Sequence, residues 1–449
     1  MNNLEKFRSY REQYPTFIYH SYTYDDQCDL DITYHFEIPG LVEFHPTLKI
    51  RKEDIKIHPV KEILEYLIFQ IGLIECISYV KCTCSKHIQV EAGYIDEEQI
   101  KFLKKLYYRG LGEFLYVNGV TIAEDDLFTI ECFHDPIELP STTYQGEGNL
   151  ICVGGGKDSC VSLELLKNEK NNSCFIMNPK VPPLACATIA GYSESSIVKV
   201  ERKLDRKIIE LNEQGYLNGH TPLSSVIAFI SYLCAYLSGK KNIILSNEAS
   251  ANESTVLGTG INHQYSKTFE FENDFRNYMS RVMPLDISYF SLLRGLSEYN
   301  IAKLFSHYRI YHSVFKSCNL GSKEKEWNWC CNCSKCLFIY IILSPFLNKQ
   351  ERIQIFGQDL YEREDLLKTF QEILGYADTK PFECVGTYEE ARYAVSQVIQ
   401  KSEEGVLLDY YREHYPLELD GTKIEQYNEE NHLGDYYNTI VKEELSHYV

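Results

Sequence analysis

Between Cys28 and Lys56, apolar and polar positions alternate in short bursts, "DLDITYHFEI" and "LVEFHPTLKI", cut by Pro and Gly. Successive strand side chains point to opposite faces, so this period of two predicts strands and an α+β organisation for residues 1–140. A polar stretch with Pro, Gly and hydroxyl residues, "ELPSTTYQGEGN" from Glu138 to Asn149, predicts a linker. Beyond it the pattern changes. An apolar run (Leu150 to Val153) leads into a glycine-rich turn and a helical segment (Cys160 to Leu166), followed by "CFIMNP" (Cys174 to Pro179), longer helical stretches and "NIILSNE" (Asn242 to Glu248). Short apolar strands alternating with helices predict a parallel α/β sheet over residues 149–347. Residues 348–449 read as a helical, charged region rich in Tyr and Glu.

With 449 residues, 44% of them hydrophobic, the chain can bury the cores of two or three domains. Two apolar windows read as buried helices rather than membrane spans: "VIAFISYLCAYLSG" is too short, and "ILEYLIFQIGLIECISYV" is broken by Glu65, Gln70 and Glu75. The first residues, "MNNLEKFRSYREQYP", have no apolar segment of the secretory kind, so a cytoplasmic protein is expected. The 16 cysteines are scattered over a long chain, which predicts reduced, mostly buried thiols. A net charge of −19 without any Lys/Arg run argues against nucleic acid as a partner, while a basic pocket for a small anionic substrate remains compatible with it. No membrane partner is expected, and nothing in the sequence sets an oligomeric state.

The turn "LICVGGGKDSC" (Leu150 to Cys160) lies between a strand and a helix. Amides of residues without side chains, together with a helix N-terminus, form a cradle for a phosphate or pyrophosphate. The spacing is neither that of a Walker A loop nor G-x-G-x-x-G. Downstream, "SCNLGSKEKEWNWCCNCSKC" spaces Cys318, Cys330, Cys333 and Cys336 as C-x11-C-x2-C-x2-C, with Cys331 as an extra thiol. Four such donors suit a closed, structural tetrahedral Zn²⁺ site; an iron–sulfur cluster would use similar donors.

The glycine turn resembles the S-G-G-x-D-S loop of the PP-loop ATP pyrophosphatases, with Gly154 in place of the first serine. That likeness implies ATP and Mg²⁺. The amides of Gly155 and Gly156 and the Ser159 hydroxyl would hold the β and γ phosphates, Lys157 would neutralise their charge, and Asp158 would hold Mg²⁺. Adenine would lie near Met177 to Pro179. Further stretches, "ELNEQGYLNGHTPLSSVIAFI", "LSNEASANES", "NHQYSKTFEFE", "YFSLLRGLSEYNIAKLF" and "KPFECVG", are similar, together with the loop and the cysteine cluster, to the UDP-N-acetylmuramoyl-L-alanyl-L-glutamate epimerase (MurL) family. This resemblance runs from the loop to about Gly386, with Arg294, Gly295, Leu296, Ser297 and Glu298 standing where the family has an R-P-L-S-E segment. It implies a UDP-sugar peptide substrate whose terminal L-glutamate is inverted through an acyl-adenylate, with release of AMP and pyrophosphate. A PP-loop enzyme of tRNA modification, an enzyme acting on another peptidyl glutamate, and a non-catalytic ATP or zinc sensor are the rival readings.

The acid/base candidates follow from local context. His263 sits with Gln264, Ser266 and Lys267 in a polar cluster that packing does not require. Lys267 and Arg294 are expected to clamp substrate carboxylates or the α-phosphate, unless they are merely solvated. Asn247 and Glu248 end a strand at the carboxyl edge of the sheet, which makes Glu248 a Mg²⁺ ligand or base, or else a loop cap. Cys384 could act as a general base if its pKa is lowered, or simply be buried. His220 precedes a helix that Thr221 is expected to cap, and Glu298 is read chiefly as a partner of its helix dipole.

Overall fold

The computed structural model describes residues 1–256, 260–283, 285–318, 320–321, 328–377 and 379–448. The alternating stretches form strands β1 (Thr16–Asp25), β2 (Leu30–Ile38), β3 (Val42–Phe44), β4 (Thr47–Ile50), β5 (His87–Val90) and β6 (Thr129–Cys132). After the polar stretch come β7 (Asn149–Cys152), β8 (Ser173–Met177), β9 (Ile197–Lys203), β10 (Asn242–Leu245) and β11 (Ser288–Ser291). All belong to one sheet of order β11-β10-β7-β8-β9-β4-β2-β1-β5-β6, with β3 alongside β2.

The sheet corrects the expected separation of residues 1–140 from residues 149–347. β4 and β9 pair antiparallel, from Thr47 opposite Lys203 to Ile50 opposite Val200, so the two halves satisfy each other's edge amides and carbonyls. The polar stretch joins two parts of one sheet.

From β11 to β9 neighbouring strands are parallel, and each needs cover on both faces. The period of two divides their side chains accordingly. Leu150, Phe175, Val198, Ile243 and Tyr289 enter one core, while Ile151, Cys174, Ile197, Ile244 and Phe290 enter the other. The first core is closed by the helices Lys61–Glu75, Leu223–Leu237 and Phe269–Val282. The second is closed by Lys157–Leu165, Glu298–His307, Ser334–Leu343 and Tyr388–Gln400. Helices dominate residues 348–448, as expected.

The segment Lys61–Val80 is long and apolar enough to cross a membrane, yet 94% of its most apolar window is buried inside the fold. Its polar residue Glu75 is explained by a bidentate pair with Arg202 of β9, at 2.8 Å from Nε and 2.7 Å from Nη2. Both side chains are buried, so removing one strands a charge in a poorly solvated site. Arg202→Ala should therefore cost about 3–5 kcal/mol of stability, read as a lower urea midpoint with an unchanged slope.

Candidate active site

After β7 the chain moves to β8 and β9 on one side of it, whereas β10 and β11 lie on the other. The carboxyl ends of β7 and β10 therefore flank a point where the strand order reverses, the place where open α/β sheets leave a crevice. The glycine turn leaves β7 there, and Asn247 and Glu248 follow β10 there.

Two glycines in the turn are required by close approach. Gly155 has φ +83° and a Cβ on it would lie 2.7 Å from the Pro183 nitrogen; one on Gly156 would lie 2.7 Å from Ser317 Oγ. Gly154 is exposed and meets no such constraint. The expected set of phosphate donors needs correction. The Gly155 amide donates to Ser159 Oγ at 3.2 Å, and the Ser159 hydroxyl donates to the Gly156 carbonyl at 2.9 Å, so both are spent on shaping the turn. The amides of Gly156, Lys157 and Asp158, at the N-terminus of the helix Lys157–Leu165, have no hydrogen-bond partner among the described residues.

Lys157 is turned inward, away from solvent. It is fully buried, and its ammonium is shared between the carboxylates of Asp158 and Glu298. Burial alone would lower the Lys157 pKa, but the two carboxylates outweigh it and hold the lysine charged. Burial pushes the Glu298 pKa up against the pull of Lys157, while Asp158 is held below its usual value because Lys157, Lys335 and Lys267 together outweigh burial. Glu298 does open the helix Glu298–His307, as expected, but its carboxylate is buried in the loop network rather than solvated near the helix end. Its amide donates to Glu390 Oε1 at 2.7 Å, which ties the loop to the helix Tyr388–Gln400.

A second group of side chains converges on Cys384. Lys267 Nζ donates to Cys384 Sγ at 3.1 Å, and Lys335 Nζ donates to the Cys384 carbonyl. His263 bonds the Glu113 carboxylate through Nδ1 and lies within electrostatic reach of the same thiol. Burial alone would raise the thiol pKa, but Lys267, His263 and Lys335 lower it to about 6. For His263 burial is outweighed by Cys384 and Glu113, which raise it to about 9. His220 lies beside it, its ring tilted by 48° with centroids 4.3 Å apart, and burial together with the charge on His263 depresses His220 to about 4. The site thus favours a thiolate and an imidazolium side by side, with His220 neutral. The cysteine segment is held by an ion pair of Lys380 with Glu253 and by Phe382 against Tyr116, ring centroids 5.6 Å apart.

His263, Lys267 and Cys384 are therefore brought together from three parts of the chain. The two groups meet as well: Lys267 and Lys335 both act on Asp158, and Glu248, also buried, acts on Lys267 and Glu298. Arg294 departs from its expected role as a clamp. It is fully buried and donates to Glu272 and to the carbonyls of Glu248 and Lys267. Its part is to fix the backbone of two site residues. Thr221 does not cap the following helix; Pro222 takes that position, and the Thr221 hydroxyl accepts from Lys81 Nζ at 2.7 Å, next to His220. Sequence reasoning missed Glu113, which lies 150 positions from His263, and Lys335, whose one signal was its place inside the cysteine cluster.

The four cysteines also meet. Their sulfurs lie within 4.8 Å of one another, while Cys331 turns away to the Phe356 carbonyl at 3.3 Å and does not crowd them. Glu113, His220 and His263 have the composition of a second metal site, but Lys81 and Lys267 raise positive potential at His220 and oppose a divalent cation there. With Glu113 as the partner that, after Cys384, holds its charge, His263 should lose its proton more easily in Glu113→Gln: NMR titration of the imidazole should show its pKa falling from about 9 by roughly one pH unit or more.

Comparison with known proteins places these residues in a family. Residues 8–292 match the MurL N-terminal domain and residues 314–418 the MurL C-terminal domain, so both halves of the sheet are covered. The chain is 34% identical over 340 residues, 74% of each chain, to the UDP-N-acetyl-alpha-D-muramoyl-L-alanyl-L-glutamate epimerase of Xanthomonas oryzae pv. oryzae (strain MAFF 311018). It is 32% identical over 357 residues, 78% of this chain and 77% of the relative, to the protein of the same name from Micromonospora sp. (strain ATCC 39149 / NRRL 15099 / SCC 1413). A third relative of that name, from Salinispora tropica, is 32% identical over 359 residues, 78% of this chain and 76% of its own. The chain belongs to the MurL family.

Proposed function

We propose that the protein inverts the terminal L-glutamate of UDP-N-acetylmuramoyl-L-alanyl-L-glutamate to D-glutamate, in peptidoglycan precursor biosynthesis, using ATP to activate the glutamate. The supporting observation is a juxtaposition: a helix N-terminus with free amides and a cysteine held as thiolate are linked through Lys267 and Lys335, in a chain whose relatives bear that epimerase name.

The chemistry explains why both halves are needed. An α-proton beside an ionised carboxylate is weakly acidic, because its removal puts a second negative charge next to the first. Attack of a substrate carboxylate oxygen on the α-phosphorus of ATP forms a mixed anhydride and breaks the bond to pyrophosphate. The acyl-adenylate no longer carries the carboxylate charge, and its carbonyl takes up the electron pair left at Cα. Cys384 thiolate removes the proton from one face, and His263, held by Glu113, returns a proton to the other. Water then cleaves the anhydride, releasing AMP and the inverted product.

Each remaining residue has a task in this reading. The amides of Gly156, Lys157 and Asp158 receive the phosphates, in the PP-loop manner that the glycine turn resembles. Asp158 suits Mg²⁺, since its carboxylate is the loop acid that keeps partial exposure, 25% of its side chain against 1% for Glu298. Mg²⁺ would neutralise phosphate charge there. Lys267 holds Cys384 ionised, and Glu248 sets the charge around Lys267.

Incubation with ATP, Mg²⁺ and the L-glutamyl substrate should yield AMP and pyrophosphate together with D-glutamate in the product; turnover without AMP would contradict the activation step. Cys384→Ser should lower kcat on the order of 10²–10⁴-fold while melting stays near wild type. The pH profile follows from the two itinerant protons. kcat/KM should rise through about 6 as the Cys384 thiolate forms and fall through about 9 as His263 loses its proton, with both limbs belonging to the coupled pair.

A further inference from the structure

Lys335 lies between two of the four converging cysteines and reaches into the active site. The sulfurs of Cys318 and Cys333 are 3.9 Å apart, those of Cys330 and Cys336 3.7 Å, and those of Cys333 and Cys336 3.5 Å. Four thiolates around a tetrahedral Zn²⁺ at 2.3 Å would stand about 3.8 Å from one another, so the described thiols already occupy close to the right tetrahedron. Amides point at the sulfurs: Gly321 at 3.1 Å and Cys330 at 3.4 Å from Cys318 Sγ, Asn332 at 3.4 Å from Cys330 Sγ, and Cys336 at 3.5 Å from Cys333 Sγ. Such donors stabilise charge on sulfur, and four thiolates this close repel one another unless a cation sits among them.

We propose that these four cysteines hold a metal ion whose task is to fix Lys335 as a positioning residue of the reacting centre. On one side of Lys335, Cys333 forms the N-cap of the helix Ser334–Leu343, and Leu337 to Leu343 are fully buried. On the other side the chain is drawn into the thiol knot. Lys335 is buried, passes the Phe338 ring at 5.7 Å, and donates to the Cys384 carbonyl. That bond sets the backbone of the residue whose sulfur meets Lys267. The same ammonium acts on Asp158 and Glu298, so one metal-anchored lysine spans the loop and the cysteine. Loss of the ion would release the lysine and loosen Cys384 without removing any group that touches the substrate.

The inference rests on the proposed use of Cys384, but its test does not need the substrate. Metal per chain is measured by mass spectrometry, melting by calorimetry, and iodoacetamide alkylation of Cys384 by peptide mapping, in wild type, Lys335→Met, Lys335→Arg and Cys333→Ser. Lys335→Met should keep the metal and its melting, yet at pH 5, below the thiol's pKa of about 6, alkylate at Cys384 about tenfold more slowly, as expected when a neighbouring cation worth about one pKa unit is removed. Lys335→Arg should recover part of that rate, and Cys333→Ser should lose both the metal and the rate. With substrate, Lys335→Met should lower kcat more than it changes KM. Wild-type alkylation in Lys335→Met, or a wild-type chain that binds no metal, would overturn the proposal. A wild type that carries metal and shows Lys335-dependent alkylation but no epimerisation would instead overturn the proposed function alone.

Discussion

A buried ammonium shared by two carboxylates holds this site together. Lys157 has no exposed surface, and a charge so placed persists only with partners of opposite sign. Asp158 and Glu298 supply them, and these carboxylates in turn lie in the field of Lys335 and, for Asp158, Lys267. Lys267 then meets the Cys384 thiol, which meets His263, which meets Glu113. Each charge justifies the next in a region where water does little. The loop after β7, the turn after β10, the segment around Cys384 and the cysteine cluster are consequently fixed relative to one another.

The sheet makes that network possible. The strand-order reversal between β7 and β10 supplies a crevice, and the antiparallel join of β4 to β9 brings the N-terminal half beside it. That half is part of the site: Glu113 bonds His263, and Lys81 grips the Gly219 carbonyl and Thr221 on either side of His220. Arg294, bonded to Glu272 and two backbone carbonyls, keeps the turns bearing Glu248 and Lys267 in place. Positioning groups outnumber the groups free to meet a ligand, as expected where reactive charges must be kept apart from water and from one another.

Much of the scaffold was legible because it rests on local periodicity. Alternation marked the strands β2 to β4, and apolar runs marked β7, β8 and β10, since burial of one face or two leaves a direct trace in the residues. Local polarity marks His263 and Lys267, and Cys384 stands out as a thiol open to a lowered pKa, but neither signal shows that the three meet. What periodicity cannot carry is partnership at a distance. Nothing around Glu113 announces a histidine 150 positions away, and β4 gives no sign that its open edge will be filled by β9. In the loop, Lys157 and Ser159 show the same limit: their residue types suit phosphate, but tertiary burial gave Lys157 two carboxylates and the turn gave Ser159 a carbonyl.

Carbon-bound hydrogen exchange tests the central claim, that a Cys384 thiolate takes the α-proton of an activated glutamate, most directly. With the UDP-muramoyl dipeptide, ATP and Mg²⁺ in D₂O, the wild type should place deuterium at the glutamate Cα, and neither Cys384→Ser nor wild type without ATP should do so. Undiminished deuterium in the Cys384→Ser product, or exchange that proceeds without ATP, would contradict the account.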